Sequence, residues 1–182
     1  MANYHITDDA KERVSLLIKE RFPWLIVGLL GGIIVTILVS KFESILSQNI
    51  SLAFFLPVIV YMSDAIGTQT ENIYVRNLAK FRDNFFQYFI KELMVGISFG
   101  IIFGSLLGLF AKFWLGSTNV ALTVAIAMFI NGIIAPMIAL IVPEVLFKEH
   151  EDPALGAGPF TTILQNLISL LVYLLIATLI IL

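Results

Sequence analysis

The stretch "LAFFLPVIVYMSDAIGTQTENIYVRNLAK", residues 52–80, begins as pure hydrocarbon and then takes in two carboxylates, Asp64 and Glu71. A helix that crosses about 30 Å of bilayer core needs roughly 20 apolar residues. This segment reaches that length only if Asp64 lies inside the span. An ionised carboxylate at such depth costs about 2.5–3.5 kcal/mol on insertion scales, so it persists only where it faces protein partners or water. The fold class turns on this segment: a chain that holds Asp64 in oil must surround it with other helices or a hydrated path.

The rest of the chain supports a membrane setting. Of 182 residues, 59% are apolar and 13% charged, which is too little charge to cover the apolar surface of a soluble domain. Four further apolar stretches are long enough to span, so the expected spans are about Pro23–Ser40, Ser51–Ala79, Leu93–Trp114, Asn119–Val145 and Pro159–Leu182. The expected architecture is all-α, a polytopic membrane protein with five transmembrane helices per subunit. Pro57 and Gly67 mark the second span as bent or locally broken.

Ahead of the first span, "DDAKERVSLLIKERF" places Val14, Leu17 and Ile18 on one helical face. Residues 1–22 are therefore read as an N-terminal amphipathic segment and residues 23–182 as the membrane domain. The amphipathic helix either lies on the membrane surface or packs on protein, and its pattern fits both. The segment is too charged for a signal peptide. Nine of the eleven basic residues fall in the N-terminal segment, the second-to-third connection and the fourth-to-fifth connection, leaving Lys41 and Lys112 on the other side. That asymmetry predicts a cytoplasmic N-terminus and an external C-terminus.

Several function classes are excluded. With no cysteine there is no disulfide, thiolate metal site or cysteine nucleophile. No basic run addresses nucleic acid. No Gly-x-Ser-x-Gly, His-Glu-x-x-His or phosphate loop is present, and one deep aspartate per chain lacks the companion an intramembrane aspartyl protease needs, so the chain is not read as an enzyme. His5 and His150 stand alone, and the acidic loop "PEVLFKEHEDP" reads as a solvated connection.

Small residues recur every four positions as Gly96, Gly100, Gly104 and Gly108 in the third span and as Gly28, Gly32, Thr36 and Ser40 in the first. Such ridges let helix backbones approach, within one chain or between two. Polar side chains also form stripes. Asp64, Thr68 and Glu71 share one face of the second span; Thr162, Asn166, Ser169 and Tyr173 share one face of the fifth, flanked by Gln165. Facing each other, the two stripes make an oxygen-lined, negatively polarised path suited to hard divalent cations. Structural roles compete with this: Gln165 and Asn166 as hydrogen-bond partners of a neighbouring helix, Glu71 as the partner of Arg76, and Asn131 as a packing group beside Pro136.

The segments "PVIVYMSDAIGTQTENIYVRNLA", "RFPWLIVGLL…SKFES", "KELMVGISFG" and "EDPALGAGPFTTILQN" resemble parts of the MgtE family of magnesium transporters and channels, and they fall in the family's order along the chain. The resemblance runs from Arg21 onward. It implies a homodimer with five helices per subunit, embedded in membrane lipid, with a central path for Mg²⁺ lined by the second and fifth helices. The ion would be held by an aspartate of the fifth helix from each subunit. Two departures stand out. That aspartate falls on Asn166 here, and the family's Gly-Gly-Asn falls on Ser63, Asp64 and Ala65. Only about twenty residues precede the first span, so the family's cytosolic regulatory domains are not expected. Two carboxylates lost at Asn166 in a dimer are restored by two at Asp64. The metal-ligating candidates are therefore Asp64 and Asn166, with Ser63, Thr68, Glu71, Thr162, Gln165 and Ser169 as path-lining candidates. The expected activity is passive transport of a divalent cation, Mg²⁺ first. The alternatives are a cation-coupled antiporter and a non-conducting membrane scaffold.

Overall fold

A computed structural model describes residues 11–78, 84–149 and 153–181. The first ten residues, Lys80 and Arg82 of the second-to-third connection, and His150, Glu151 and Asp152 of the acidic loop lie outside them. The described chain is helical throughout: α1 (Val14–Ser40), α2 (Glu43–Gln48), a 3₁₀ segment (Ile50–Phe55), α3 (Leu56–Leu78), α4 (Phe85–Leu115), α5 (Thr118–Lys148) and α6 (Pro153–Ile181). Five of these stretches are long and apolar enough to cross a membrane, as expected.

The boundaries depart from the sequence expectation in three places. Val14 to Phe22 form the first turns of α1, which runs on through Pro23, so the described part of the amphipathic segment is no separate helix. Near an interface, water donates a hydrogen bond to the carbonyl that a proline leaves free. The second span is irregular before Pro57 and unbroken at Gly67: a 3₁₀ segment passes into α3 at Leu56. Pro57 sits in the first turn, where the missing N–H has no helical partner to lose. Lastly, α4 and α6 each begin about six to eight residues earlier than apolar content indicates, because helical geometry continues into the polar interface where hydropathy drops.

The α4–α5 connection explains why those two helices pack closely. Gly116 ends α4 in the left-handed region (φ 70°), its N–H donating to the Lys112 carbonyl at 2.9 Å. Ser117 at once caps α5, accepting from the Val120 N–H at 3.3 Å. Lys112 Nζ binds the turn, donating to the Gly116 carbonyl at 3.0 Å and Thr118 Oγ1 at 2.7 Å. With the helices folded back on so short a turn, the α4 glycine ridge lies on the backbone of α5. A Cβ at Gly96, Gly100 or Gly104 would stand 2.8, 2.5 or 2.7 Å from the carbonyl oxygens of Gly132, Phe129 and Ala125. The ridge is thus an intrachain contact.

The ridge in α1 behaves differently. Nothing lies within 4 Å of a Cβ built on Gly28 or Gly32, whereas Gly31, one position off the ridge, sits against Ile163 of α6. Thr36 and Ser40 return their hydroxyls to carbonyls of their own helix. Trp24 stacks edge-on against Phe160, so α1 leans on α6 and is the least buried span.

α5 is the most buried span and contacts α3, α4 and α6. The core, including Phe55, Ile59, Val124, Met128, Tyr173 and Leu174, gathers where these helices meet the 3₁₀ segment. Aromatic clusters mark opposite ends of α3: Phe55, Phe110 and Trp114 near its start, Tyr74, Phe85 and Tyr88 near its end. Amphipathic rings favour the two interfaces of a bilayer.

Candidate cation site

The α3–α6 contact is antiparallel and carries most of the polar groups singled out in the sequence. Asp64 is half-buried on α3, and Thr162 of α6 donates its hydroxyl to Asp64 Oδ1 at 3.3 Å. Asp64 and Asn166 line one open pocket of about 460 Å³, walled by Val39, Leu56, Pro57, Val60, Tyr61 and Leu170. The Asn166 Oδ1 atom is buried and has no hydrogen-bond partner. The pocket thus sets the Asp64 carboxylate and Asn166 among mostly apolar side chains, with Tyr61 as a further polar group.

Among the described residues no ion pair engages Asp64; Lys148 pairs with Glu144 at 2.9 Å, near the end of the bundle. Asp64 therefore lines the pocket with the Thr162 hydroxyl as its hydrogen-bond partner. Nor is there, among the described residues, a cluster of three acidic or histidine side chains that would cage a metal. A cation held here keeps water in its shell or takes ligands from a second copy of the chain, and Mg²⁺ dehydrates reluctantly in any case.

The remaining candidates divide between two environments. Ser63, Gln165 and Ser169 are buried, and with Asn131 they line a closed seam between α3, α5 and α6. Ser63 bonds the Ile59 carbonyl at 2.8 Å, Ser169 the Asn166 carbonyl at 3.3 Å, and Gln165 Nε2 the Ala135 carbonyl at 3.4 Å. Asn131 Nδ2 donates to the Ser169 carbonyl at 3.2 Å, the packing role expected of it. Thr68 is exposed and Glu71 buried on the same face of α3 as Asp64. Glu71 makes no ion pair with Arg76 among the described residues, and Arg76 is exposed.

The fifth-span stripe separates because its outer half is covered. Tyr173 is fully buried and donates to the Leu52 carbonyl of the 3₁₀ segment at 2.8 Å, so that segment closes over the stripe beyond Ser169. Thr162 and Asn166, below the cover, stay on the open side.

Sequence reasoning missed three participants. Tyr61, 70% exposed, lines the pocket one turn from Asp64, at the i−3 spacing that was available as a signal. Gly67 gives room to Gln165, whose carboxamide occupies the place a Cβ would take. Thr161 is buried with its hydroxyl beside the Glu71 carboxylate; no pattern in the sequence distinguishes it from Thr162.

Residues 56–176, which run from the start of α3 into the last turns of α6, match the model of the MgtE family, described as a divalent cation transporter. The chain belongs to the MgtE family. Its relatives include the magnesium transporter MgtE of Bacillus subtilis, 35% identical over 176 residues and 95% of this chain. The proteins of the same name from Enterococcus faecalis and Thermus thermophilus are each 29% identical, over 94% and 87% of this chain. The chain spans 39%, 38% and 36% of the length of these three relatives. Within this MgtE-family chain, Asp64, Thr162 and Asn166 all fall inside the matched region.

Proposed function

We propose that this chain carries a divalent cation, Mg²⁺ first among candidates, across a membrane along the α3–α6 seam. The observation that supports this most directly is that Asp64 and Asn166 share one open pocket, with the Asp64 charge met by a hydroxyl and no basic side chain among the described residues. A carboxylate retained at that depth favours cations over anions. The three relatives named as magnesium transporters point the same way.

The arrangement is most economical as a homodimer in which two copies of the pocket face each other across a twofold axis. Two Asp64 carboxylates then hold a hydrated ion, with Asn166 accepting hydrogen bonds from metal-bound water. The placement of basic residues supports a cytoplasmic N-terminus and an external C-terminus. Purified protein in liposomes loaded with a Mg²⁺-sensitive dye tests the proposal. Asp64→Asn should lower the flux at least about tenfold, the equivalent of roughly 1.4 kcal/mol. Undiminished flux in that variant removes Asp64 from the path. Silence of the wild-type protein across several divalent ions favours a membrane scaffold, and flux that runs only against an opposing cation gradient favours an antiporter.

A further inference from the structure

The closed seam between α3, α5 and α6 holds two amide side chains, Asn131 of α5 and Gln165 of α6, both buried. They cross. Asn131 Nδ2 donates to the Ser169 carbonyl of α6 at 3.2 Å, and Gln165 Nε2 donates to the Ala135 carbonyl of α5 at 3.4 Å. Asn131 and Ala135 stand about one turn apart on α5, as Gln165 and Ser169 do on α6. Each helix therefore gives one donor and one acceptor, and the two bonds run in opposite directions between antiparallel helices. A slide of one turn, about 5.4 Å, would break both.

A third helix closes on the same point. The Gln165 carboxamide lies where a Cβ of Gly67 would stand, so α3 meets this clasp through a residue with no side chain. The neighbour of Gln165 along α6, Asn166, lines the cation pocket, and Thr162 bonds Asp64. One residue is about 100° of helix rotation. The face of α6 that reaches the pocket is thus set by the face that the clasp holds in the seam. Neither amide is needed to fill the seam. Ile134, Ile138 and Ile168 line it too, and Gln165 Oε1 is buried there without a hydrogen-bond partner. Burying amides where aliphatic side chains would fit is unfavourable, and fixing one register is the best-attested use of such groups.

We propose that Asn131 and Gln165 are positioning residues for the cation pocket: their reciprocal bonds fix the rotation and height of α6, and so hold Asn166 and Thr162 toward Asp64. This rests on the reading of that pocket as part of the cation's route. Gln165 then acts from the side of α6 that faces protein, without touching the ion. The helix it grips suits the task. α5 is the most buried span, and its other side is pressed on the glycine ridge of α4. It is the fixed frame against which α6 is set.

The chain has no cysteine, so a single introduced cysteine reports which side of α6 faces water. Asn166→Cys and Ser169→Cys are each placed in the wild-type chain, in Gln165→Met and in Asn131→Leu, and labelled in liposomes with a charged methanethiosulfonate. Both swaps keep the bulk of the side chain and remove its donor, so melting temperature should stay near wild type. In the otherwise wild-type chain, Asn166→Cys should label and Ser169→Cys should be protected. Either swap should slow the labelling of Asn166→Cys about threefold or more, the scale of one interhelical hydrogen bond in a membrane. In chains that keep Asn166, either swap should raise the Mg²⁺ concentration for half-maximal flux about three- to tenfold. Unchanged labelling overturns the proposal even where half-saturation rises, because Gln165 would then act on the path directly. Altered labelling with unchanged half-saturation overturns it too, since the pocket would not depend on the clasp. Altered labelling in a protein that carries no divalent cation, wild type included, supports the positioning of α6 and overturns the transport reading alone. If one swap fails to fold, the other breaks its own bond of the pair and decides.

Discussion

Thr162 holds Asp64. Its hydroxyl reaches Asp64 Oδ1 across the α3–α6 seam at 3.3 Å, and among the described residues no second hydrogen bond engages the carboxylate. The carboxylate therefore has one oxygen fixed to the protein. A hydroxyl is also a donor that leaves the carboxylate its full charge, which a lysine at the same place would neutralise.

Thr162→Val keeps the shape of the residue and removes the donor. A hydrogen bond to a charged group contributes about 1.5–3 kcal/mol when buried, and less at an exposed residue such as Thr162. The concentration of divalent cation giving half-maximal flux should rise roughly three- to tenfold, with melting temperature unchanged. Unaltered concentration dependence would mean that Asp64 is positioned by the backbone alone.

Asn166→Asp puts a carboxylate where the amide oxygen is unpartnered, next to Asp64 in the same pocket. With no ion present the two like charges repel; a divalent cation relieves this. Mn²⁺ binding measured by calorimetry should tighten by about tenfold, or roughly 1.4 kcal/mol, and the variant should be more thermally stable with Mn²⁺ than without. Weaker binding would place Asn166 away from the ion.

The two glycine ridges should respond oppositely to the same substitution. A methyl at Gly100 meets the Phe129 carbonyl at 2.5 Å, so Gly100→Ala must push α4 off α5, at a cost of about 1–3 kcal/mol. Gly28→Ala has no atom within 4 Å to strike. Thermal melts in detergent should drop clearly for Gly100→Ala and stay near wild type for Gly28→Ala. A flux defect in Gly28→Ala without loss of melting temperature would mark that ridge as a contact between subunits.

Tyr173→Phe deletes the one donor to the Leu52 carbonyl that comes from α6. Burying that carbonyl with one bond fewer should cost about 1–3 kcal/mol. Melting temperature should fall, and because Tyr173 lies under the 3₁₀ cover and away from the pocket, flux per folded molecule should hold. A change in ion affinity instead would show that the cover shapes the pocket.

The composition and the spacing of apolar runs determine that this is a five-span helical membrane protein. The physics is local: a backbone in oil must bond to itself, so each long apolar run becomes a helix whatever its neighbours do. The anomaly of Asp64 is legible for the same reason, since the cost of burying charge depends on depth, and depth follows from counting residues along the span. What periodicity alone left open is which neighbour each face meets. Thr162, Asn166, Ser169 and Tyr173 share a face, yet only Asn166 lines the open pocket and Thr162 is exposed beside Asp64, whereas a 3₁₀ segment from 121 residues earlier closes over Tyr173. Gly96 to Gly108 and Gly28 to Gly32 read alike as ridges, yet one is pressed against α5 and the other is bare. Thr161 and Thr162 are adjacent and chemically identical, and one step of about 100° around α6 turns one toward Glu71 and the other toward Asp64. Those distinctions arise from how helices lean on one another, a property of the packed bundle that no single helix encodes.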